Sequence, residues 1–214
     1  MSRFLLVLSF LLTLVLSLTG PFEIADAPPT TSVVWRTGSV LDQGMLPACV
    51  ATAWVGWLEA DPHPTASPSY TTIYWSGQAL DAEYKIPGPT IRTGERVMRE
   101  LGLLGGLTYT NSITEATHFL ITQGPIIVTS LWYEQMERID KGLASTGGRV
   151  LGDHAYLCYG LDGANWLCQN SYGANWGDNG RFAIPAYMLQ GTPWFEVALA
   201  TKRLAPFPTL LPRQ

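Results

Sequence analysis

The feature that most constrains the fold is a pair of strand-like runs in the last third of the chain, joined by a tight turn. Residues 153–160 and 166–172 are rich in β-forming side chains, and the Asp162-Gly163 pair between them is a strong hairpin signal. Paired positions in such a hairpin sum to about 325, because opposite residues are equally far from the turn. In an even register, His154 lies across from Asn170 or Tyr172, and all three share one face.

The same register makes Cys158 and Cys168 close neighbours. Because a bond between adjacent strands is strained, we expect two thiols in the core rather than a disulfide. The third cysteine, Cys49, makes the number odd. The chain has no C-x-x-C pair, and His63 and His118 show no ligand spacing with Cys49, so we expect neither zinc nor any other cofactor.

Cys49 lies where a loop leads into a helix, in the segment 42–54. From Val50 onward, apolar side chains recur at helical spacing, which predicts one apolar face, and Asp61-Pro62 ends the run. Unpaired N–H groups and the helix dipole at a helix start stabilise a thiolate, so Cys49 is a candidate nucleophile. The alternative is a small, buried apolar residue.

Composition narrows the classes of function. The chain has 214 residues, 47% of them hydrophobic, which suits one domain with a full core. Its net charge of −4 is mild and no basic stripe occurs, so we expect no nucleic-acid partner. Local patterns predict a turn at Gly105-Gly106, a helix capped by Ser112 and Glu115, and a central strand over 125–129.

The first 27 residues have a different pattern from the rest. Arg3 precedes an apolar run over 4–18, and Ala25-Asp26-Ala27 is a small-x-small cleavage candidate. A run of about 15 residues is shorter than the roughly 20 that span a bilayer. The pattern indicates a signal peptide in residues 1–27, with a membrane anchor as the alternative. We therefore expect a secreted or membrane-anchored protein.

Four side chains can be assigned roles in thiol hydrolysis. Cys49 is the nucleophile, and His154 forms the ion pair that keeps its sulfur as a thiolate. Asn170 holds the imidazole by its amide oxygen, and Gln43 aims its side-chain NH2 at the oxyanion. Tyr172 covers the His154–Asn170 hydrogen bond from water. Each residue also has an ordinary structural explanation, such as a satisfied strand histidine or a turn-forming asparagine.

In order and spacing, these residues resemble the papain-like cysteine peptidases. Gln43 stands six residues before Cys49, as in that family's Gln-Gly…Cys loop, and residues 153–155 resemble its histidine strand. Residues 170–180 resemble the Asn-Ser-Trp-Gly-x-x-Trp-Gly-x-x-Gly signature, with Tyr172 at the first Trp and Trp176 at the second. The resemblance covers about residues 40–187.

This resemblance implies an α+β fold of two lobes within a catalytic domain over 28–214. A helical N-terminal lobe, about 40–122, faces an antiparallel β-rich C-terminal lobe, about 123–205, with the active site in the cleft. It also implies hydrolysis of a peptide or protein substrate through a cysteine acyl-enzyme by a monomer, with Asp153, Tyr172 and Trp176 in support.

Departures from the family pattern leave alternatives open. Leu46 replaces a disulfide cysteine of the family, Val50 replaces the Trp after the nucleophile, and only 16 residues separate Ala27 from Gln43, too few for a long inhibitory propeptide. Such a form resembles compact, propeptide-free relatives of bacteria and their phages. The alternatives are a cell-wall peptide hydrolase or amidase, and an inert papain-like module used for binding or assembly.

Overall fold

Helices dominate the first half of the chain and an antiparallel sheet the second. The computed structural model describes residues 32–81, 88–139, 142–193 and 195–202, which all belong to one compact unit starting at Thr31. The predicted signal segment, residues 1–27, lies outside the described residues. No helix within the described ranges is both long and apolar enough to cross a bilayer.

Four α-helices are described, and three of them begin at side-chain caps. They are α1 (Cys49–Glu59), α2 (Tyr70–Leu80), α3 (Ile91–Glu100) and α4 (Ile113–Thr122). Ser69, Thr90 and Ser112 each accept a backbone N–H of the first turn, which satisfies one of the donors that a helix start leaves unpaired. The bond from the Glu115 N–H to Ser112 is the one that the sequence predicts. Helix α1 has no side-chain cap.

The strands within the described ranges form one antiparallel sheet. They are β1 (Ser32–Val34), β2 (Leu104–Thr110), β3 (Ile126–Tyr133), β4 (Val150–Asp162), β5 (Asn165–Gln169), β6 (Arg181–Pro185) and β7 (Glu196–Lys202). Their order is β2-β7-β3-β4-β5-β6, with β1 paired to β4. The turn predicted at Gly105-Gly106 is wrong, because both glycines lie within β2, where pairing with β7 extends the backbone.

Strands β4 and β5 form the hairpin that the sequence predicts. The register shifts at an irregularity between Cys158 and Gly160, and the pairs beyond it are in the even register. Leu157 lies opposite Gln169, and Cys158 lies opposite Cys168. The expectation of two core thiols is wrong, because these cysteines form a disulfide. The register sets them directly opposite each other with Cα atoms 4.0 Å apart, which brings their sulfurs together.

Side-chain alternation along the central strands separates two apolar cores. Ile127 of β3 and Leu157 of β4 contribute to a core with α1, α2 and α3, whereas Ile126 and Tyr156 contribute to a second core with α4. Helix α1 is buried from Val50 to Leu58, so the prediction of a single apolar face is wrong. The helix lies between the sheet and two other helices, and neighbours cover it on every side.

Candidate active site

The start of α1 places Cys49 at the edge of the first core. Ala48 and Val50 on either side are buried, while Cys49 itself is half-buried and carries a free thiol. Because Ala48 offers no side-chain cap, the first N–H groups of the helix stay available. The N–H groups of Cys49, Val50 and Ala155 hydrogen-bond to the sulfur, and each of these bonds lowers the pKa of the thiol.

The end of the β4–β5 hairpin brings His154 and Asn170 together. The His154 Nε2 and Asn170 Oδ1 atoms are 2.7 Å apart, and both residues are buried. Asn170 Oδ1 also accepts the Ser171 N–H at 2.8 Å, which fixes the orientation of the amide. Because an amide oxygen only accepts, the hydrogen of the neutral imidazole lies on Nε2, and Nδ1 keeps a lone pair.

Aromatic rings surround the imidazole on the side of the second core. The ring centroids of Trp132 and His154 are 4.5 Å apart, and those of Tyr172 and His154 are 5.1 Å apart. Trp176 contacts Trp132 and Tyr172 at centroid distances of 6.1 Å and 5.6 Å. Tyr172 thus lies beside the His154–Asn170 pair, where the sequence places it.

Sequence reasoning missed Trp132, which lies closer to His154 than Tyr172 does. Ser130 pairs with His154 across β3 and β4, and side chains two residues apart share a face, so Trp132 shares the face of His154. The alternation of side-chain faces along residues 126–132 already indicates which face Trp132 lies on. It could be used only once the pairing of β3 with β4 was known.

The loop that carries Gln43 is joined to the segment after Asn170. The Gln43 N–H donates to the Ser171 carbonyl at 2.8 Å, and the Gly173 N–H donates to the Leu41 carbonyl at 3.0 Å. The Ser171 hydroxyl donates to Gln43 Oε1 at 2.5 Å, and Gln43 Nε2 donates to the Leu46 carbonyl at 2.7 Å. The sequence predicts that this NH2 group faces an oxyanion. One of its two hydrogens is bonded to the Leu46 carbonyl, the structure describes no bond for the other, and Gln43 does not line the cleft that Cys49 and His154 share.

A cleft of about 630 Å³ joins the sulfur and the imidazole. Cys49, Asp153, His154 and Ala155 line it, and its far wall includes an ion pair between Arg92 and Glu196, 2.5 Å apart. Other lining residues are Pro47, Val50, Gly88, Pro89, Thr90, Ile91, Thr129 and Phe195. Helix α1 and the loop before α3 thus contribute to the same cleft as β3, β4 and β7.

Burial favours the neutral forms of both candidate catalytic groups. It raises the pKa of the Cys49 thiol, against the three N–H groups that lower it, and the nearby Asp153 carboxylate raises it further. Burial also lowers the pKa of His154 to about 4, although Asn170 and Glu137 oppose this shift. The resting thiolate and ion pair that the sequence predicts are therefore disfavoured, because dehydration outweighs the helix-start donors.

Solved structures similar to this chain are cysteine proteases. Xylellain from Xylella fastidiosa aligns with a TM-score of 0.61 at 18% identity, covering 78% of this chain and 86% of xylellain. The Carica candamarcensis protease CMS1MS2 in complex with E-64 aligns at 0.60 and 17% identity, covering 81% and 99%. The bromelain protease of Ananas comosus in complex with the E64 inhibitor aligns at 0.56 and 18% identity, covering 78% and 96%.

The chain has the papain-like fold. The predicted α+β class and the resemblance to papain-like peptidases are thus confirmed for the fold. No protein-family model matches the sequence. A segment of 70 residues is 37% identical to cathepsin B-like cysteine proteinase 4 of Caenorhabditis elegans, covering 30% of this chain. The chain spans about a fifth of the length of that relative, since the match covers 21% of it.

The described ranges contain no group of three or more His, Cys, Asp or Glu side chains placed to hold a metal ion. His63 and His118, the other histidines of the chain, are exposed, and neither lines the cleft of this papain-like fold.

Proposed function

We propose that this protein is a cysteine-type peptidase that hydrolyses peptide bonds through a thioester. The observation that carries the proposal is the buried His154–Asn170 hydrogen bond of 2.7 Å, in a cleft that the free Cys49 thiol also lines. A histidine held in one tautomer beside a free thiol is the arrangement that thiol hydrolysis requires. The papain-like fold supports the same conclusion.

In the proposed acylation, the neutral imidazole acts as a general base. His154 Nδ1 takes the proton of the Cys49 thiol as the sulfur attacks the carbonyl carbon of the scissile bond. The C=O electron pair moves to oxygen and returns when the C–N bond breaks. His154 then gives its proton to the leaving amine, and the acyl group stays on sulfur as a thioester.

The oxyanion of this step has two proposed donors. The Cys49 backbone N–H lies at the uncapped start of α1, and Gln43 Nε2 keeps one hydrogen after its bond to the Leu46 carbonyl. In deacylation, His154 takes a proton from water, the hydroxide attacks the thioester carbon, and the sulfur leaves with the proton of His154. The enzyme returns to its neutral pair.

Covalent labelling tests the proposal directly. The purified protein is treated with E-64, an epoxide thiol inhibitor, and the adduct is located by peptide mass spectrometry. We expect modification of Cys49 together with loss of peptide hydrolysis, and much slower labelling of the His154→Ala variant. His118→Ala is the matched control, because His118 is exposed on α4, and it should label like the wild type.

An inert binding module would behave differently. Its Cys49 would label at the same slow rate with and without His154, and no peptide substrate would be cleaved. That result would reject the proposed peptidase activity.

We propose that the protein is exported, with residues 1–27 as the signal segment. The apolar run over 4–18 and the small-x-small site at 25–27 support this. The Cys158–Cys168 disulfide adds support, because such bonds persist in oxidising compartments. The mature N-terminus, measured by mass spectrometry after expression with an export system, should follow Ala27. A full-length, cytosolic product would contradict export.

A further inference from the structure

Three aromatic hydrogen-bond donors around His154 converge on one residue, Glu137. The Trp132 indole N–H donates to Glu137 Oε1 at 2.7 Å, and the Tyr172 hydroxyl makes a longer contact of 3.5 Å to the same oxygen. The Trp176 indole N–H donates to the backbone carbonyl of Glu137 at 3.0 Å. Since Trp132 and Tyr172 stack beside the imidazole, the orientation of both rings depends on Glu137.

We propose that Glu137 is a positioning residue for the reaction: it holds Trp132, Tyr172 and Trp176 around His154 and stabilises positive charge that forms on the imidazole. The inference rests on the proposed function of His154 as the base. Glu137 itself does not line the cleft, and its described hydrogen bonds go to the rings rather than to the imidazole. It acts through those rings and through its charge.

The charged groups around His154 show why Glu137, rather than another residue, affects the charge on the imidazole. The titratable or charged groups facing the imidazole or its cleft, among the described residues, are Asp153, Tyr156, Cys49, Tyr172, Glu137, Arg92 and Glu196. Arg92 and Glu196 neutralise each other as an ion pair. Burial raises the pKa of Tyr156 and Tyr172, so both stay uncharged at neutral pH.

Two carboxylates without a neutralising partner in this set remain, Asp153 and Glu137, and they affect different groups. Asp153 lies in the cleft and raises the pKa of Cys49. Glu137 is exposed and lies outside the cleft, and it raises the pKa of His154 against the effect of burial. In the proposed acylation, His154 becomes an imidazolium, so a carboxylate at this position stabilises the transition state more than the resting enzyme.

Charge and geometry can be separated with two variants of the full chain. Glu137→Gln keeps an oxygen acceptor for Trp132 and removes the charge, whereas Glu137→Ala removes both. The matched control is Glu134→Gln, which removes the same charge in the preceding 3₁₀ turn; the Glu134 carboxylate accepts only the Arg149 N–H among the hydrogen bonds that the structure describes.

Two kinetic readouts are expected to change in Glu137→Gln. The kcat at pH 7 should fall about threefold, because loss of the nearby negative charge lowers the pKa of the imidazolium by about half a unit. The acid limb of kcat/KM should move to lower pH by about half a unit, because protonation of His154 becomes harder. KM should stay within about twofold. Glu137→Ala should lose about tenfold in kcat.

A merely structural role would lower kcat without moving the acid limb. That result, or an equal shift in Glu134→Gln, would overturn the proposal. A measurement that does not depend on catalysis tests this inference separately from the proposed peptidase activity. In protein labelled at histidine Cε1, His154 should titrate at lower pH in Glu137→Gln than in the wild type, while the exposed His63 and His118 stay unchanged. An unchanged titration midpoint of His154 would reject the proposed role of Glu137, even if the protein is an active peptidase.

Discussion

Cys49 and His154 are positioned by two different kinds of structure. Cys49 is the first residue of an uncapped helix, and the packing of α1 between the sheet and α2 and α3 holds it in place. His154 lies on a strand, and its setting comes from register: Ser130 opposite it, Asn170 at the end of the next strand, and Trp132 from β3. The first arrangement is mostly local in sequence, and the second joins distant segments.

Because of this difference, substitutions in the two regions should affect turnover and stability differently. Cys49 is half-buried at the edge of its core, so its side chain can change with little effect on packing. His154 is buried beside aromatic rings of the second core and is bonded to the buried Asn170. Substitutions near Cys49 should therefore change turnover, whereas perturbations near His154 should change turnover and folding together.

The largest expected effect is that of Cys49→Ala. We expect peptide hydrolysis to fall at least about 10⁴-fold, because the nucleophile is lost. The free energy of unfolding should change by less than about 1 kcal/mol, because the substitution removes one partly buried sulfur atom at the edge of the core. Turnover assays and urea denaturation measure the two quantities. Turnover close to the wild-type rate would remove Cys49 from the mechanism.

The next effect tests the loop that joins the two regions. Gln43→Ala should lower kcat about 10²- to 10³-fold, because one oxyanion donor is removed. Ser171→Ala is the matched control: it removes the 2.5 Å bond from Ser171 Oγ to Gln43 Oε1 but keeps the donor. If both variants lost the same activity, Gln43 would serve to hold the loop rather than to bind an oxyanion.

The third effect is the dependence of stability on pH around His154. The unfolded chain protonates this residue near pH 6.5, whereas the folded protein does so only near pH 4, because burial disfavours the charge. Between these values the unfolded state binds more protons, so stability falls as the pH falls. The loss should total about 3 kcal/mol from pH 7 to pH 4 and level off about one pH unit below that, where the folded state is protonated as well.

Urea denaturation at a series of pH values measures this loss. A His154→Gln variant should lack this part of the slope, whereas His118→Gln should keep it, because His118 is exposed. Equal slopes in wild type and His154→Gln would show that His154 is protonated in the folded state as easily as in the unfolded chain.

The smallest of the four effects concerns the hairpin that carries His154 and Asn170. Replacing Cys158 and Cys168 together by alanine should lower the free energy of unfolding by roughly 2–3 kcal/mol, as for a short loop. Both cysteines are fully buried, so the mild reductant that keeps Cys49 reduced should spare this bond. Differential scanning fluorimetry of the double variant measures the change. An unchanged melting temperature would show that strand pairing alone holds the hairpin.

Much of the fold could be predicted from local patterns. The α1 helix start, the capping serine of α4 and the Asp162-Gly163 hairpin follow from residues close together in the sequence. The even register, which the sequence offers as one possibility, holds beyond the irregularity between Cys158 and Gly160 and places Cys158 opposite Cys168. What alternation did not reveal is that these thiols bond, because that depends on how the strands approach each other.

The surroundings of the site could not be predicted in the same way. Trp132 reaches His154 only because β3 pairs with β4, and Glu137 reaches the rings only through the turn that follows β3. The protonation preferences of Cys49 and His154 come from burial, which sequence spacing does not report. For this reason the predicted His154–Asn170 contact could be checked from the geometry, whereas the predicted resting thiolate, which burial disfavours, stays a prediction.

The sequence by itself therefore determined most of the elements, the hairpin turn and the residues that can carry the chemistry, because periodicity, caps and turns act between near neighbours. Only the tertiary structure decided that the sulfur and imidazole share a cleft, that aromatic rings lie beside His154, and that burial shifts the pKa of both groups toward their neutral forms. These properties arise from contacts across many residues and from the removal of water, and the energy of a charge depends on the atoms around it.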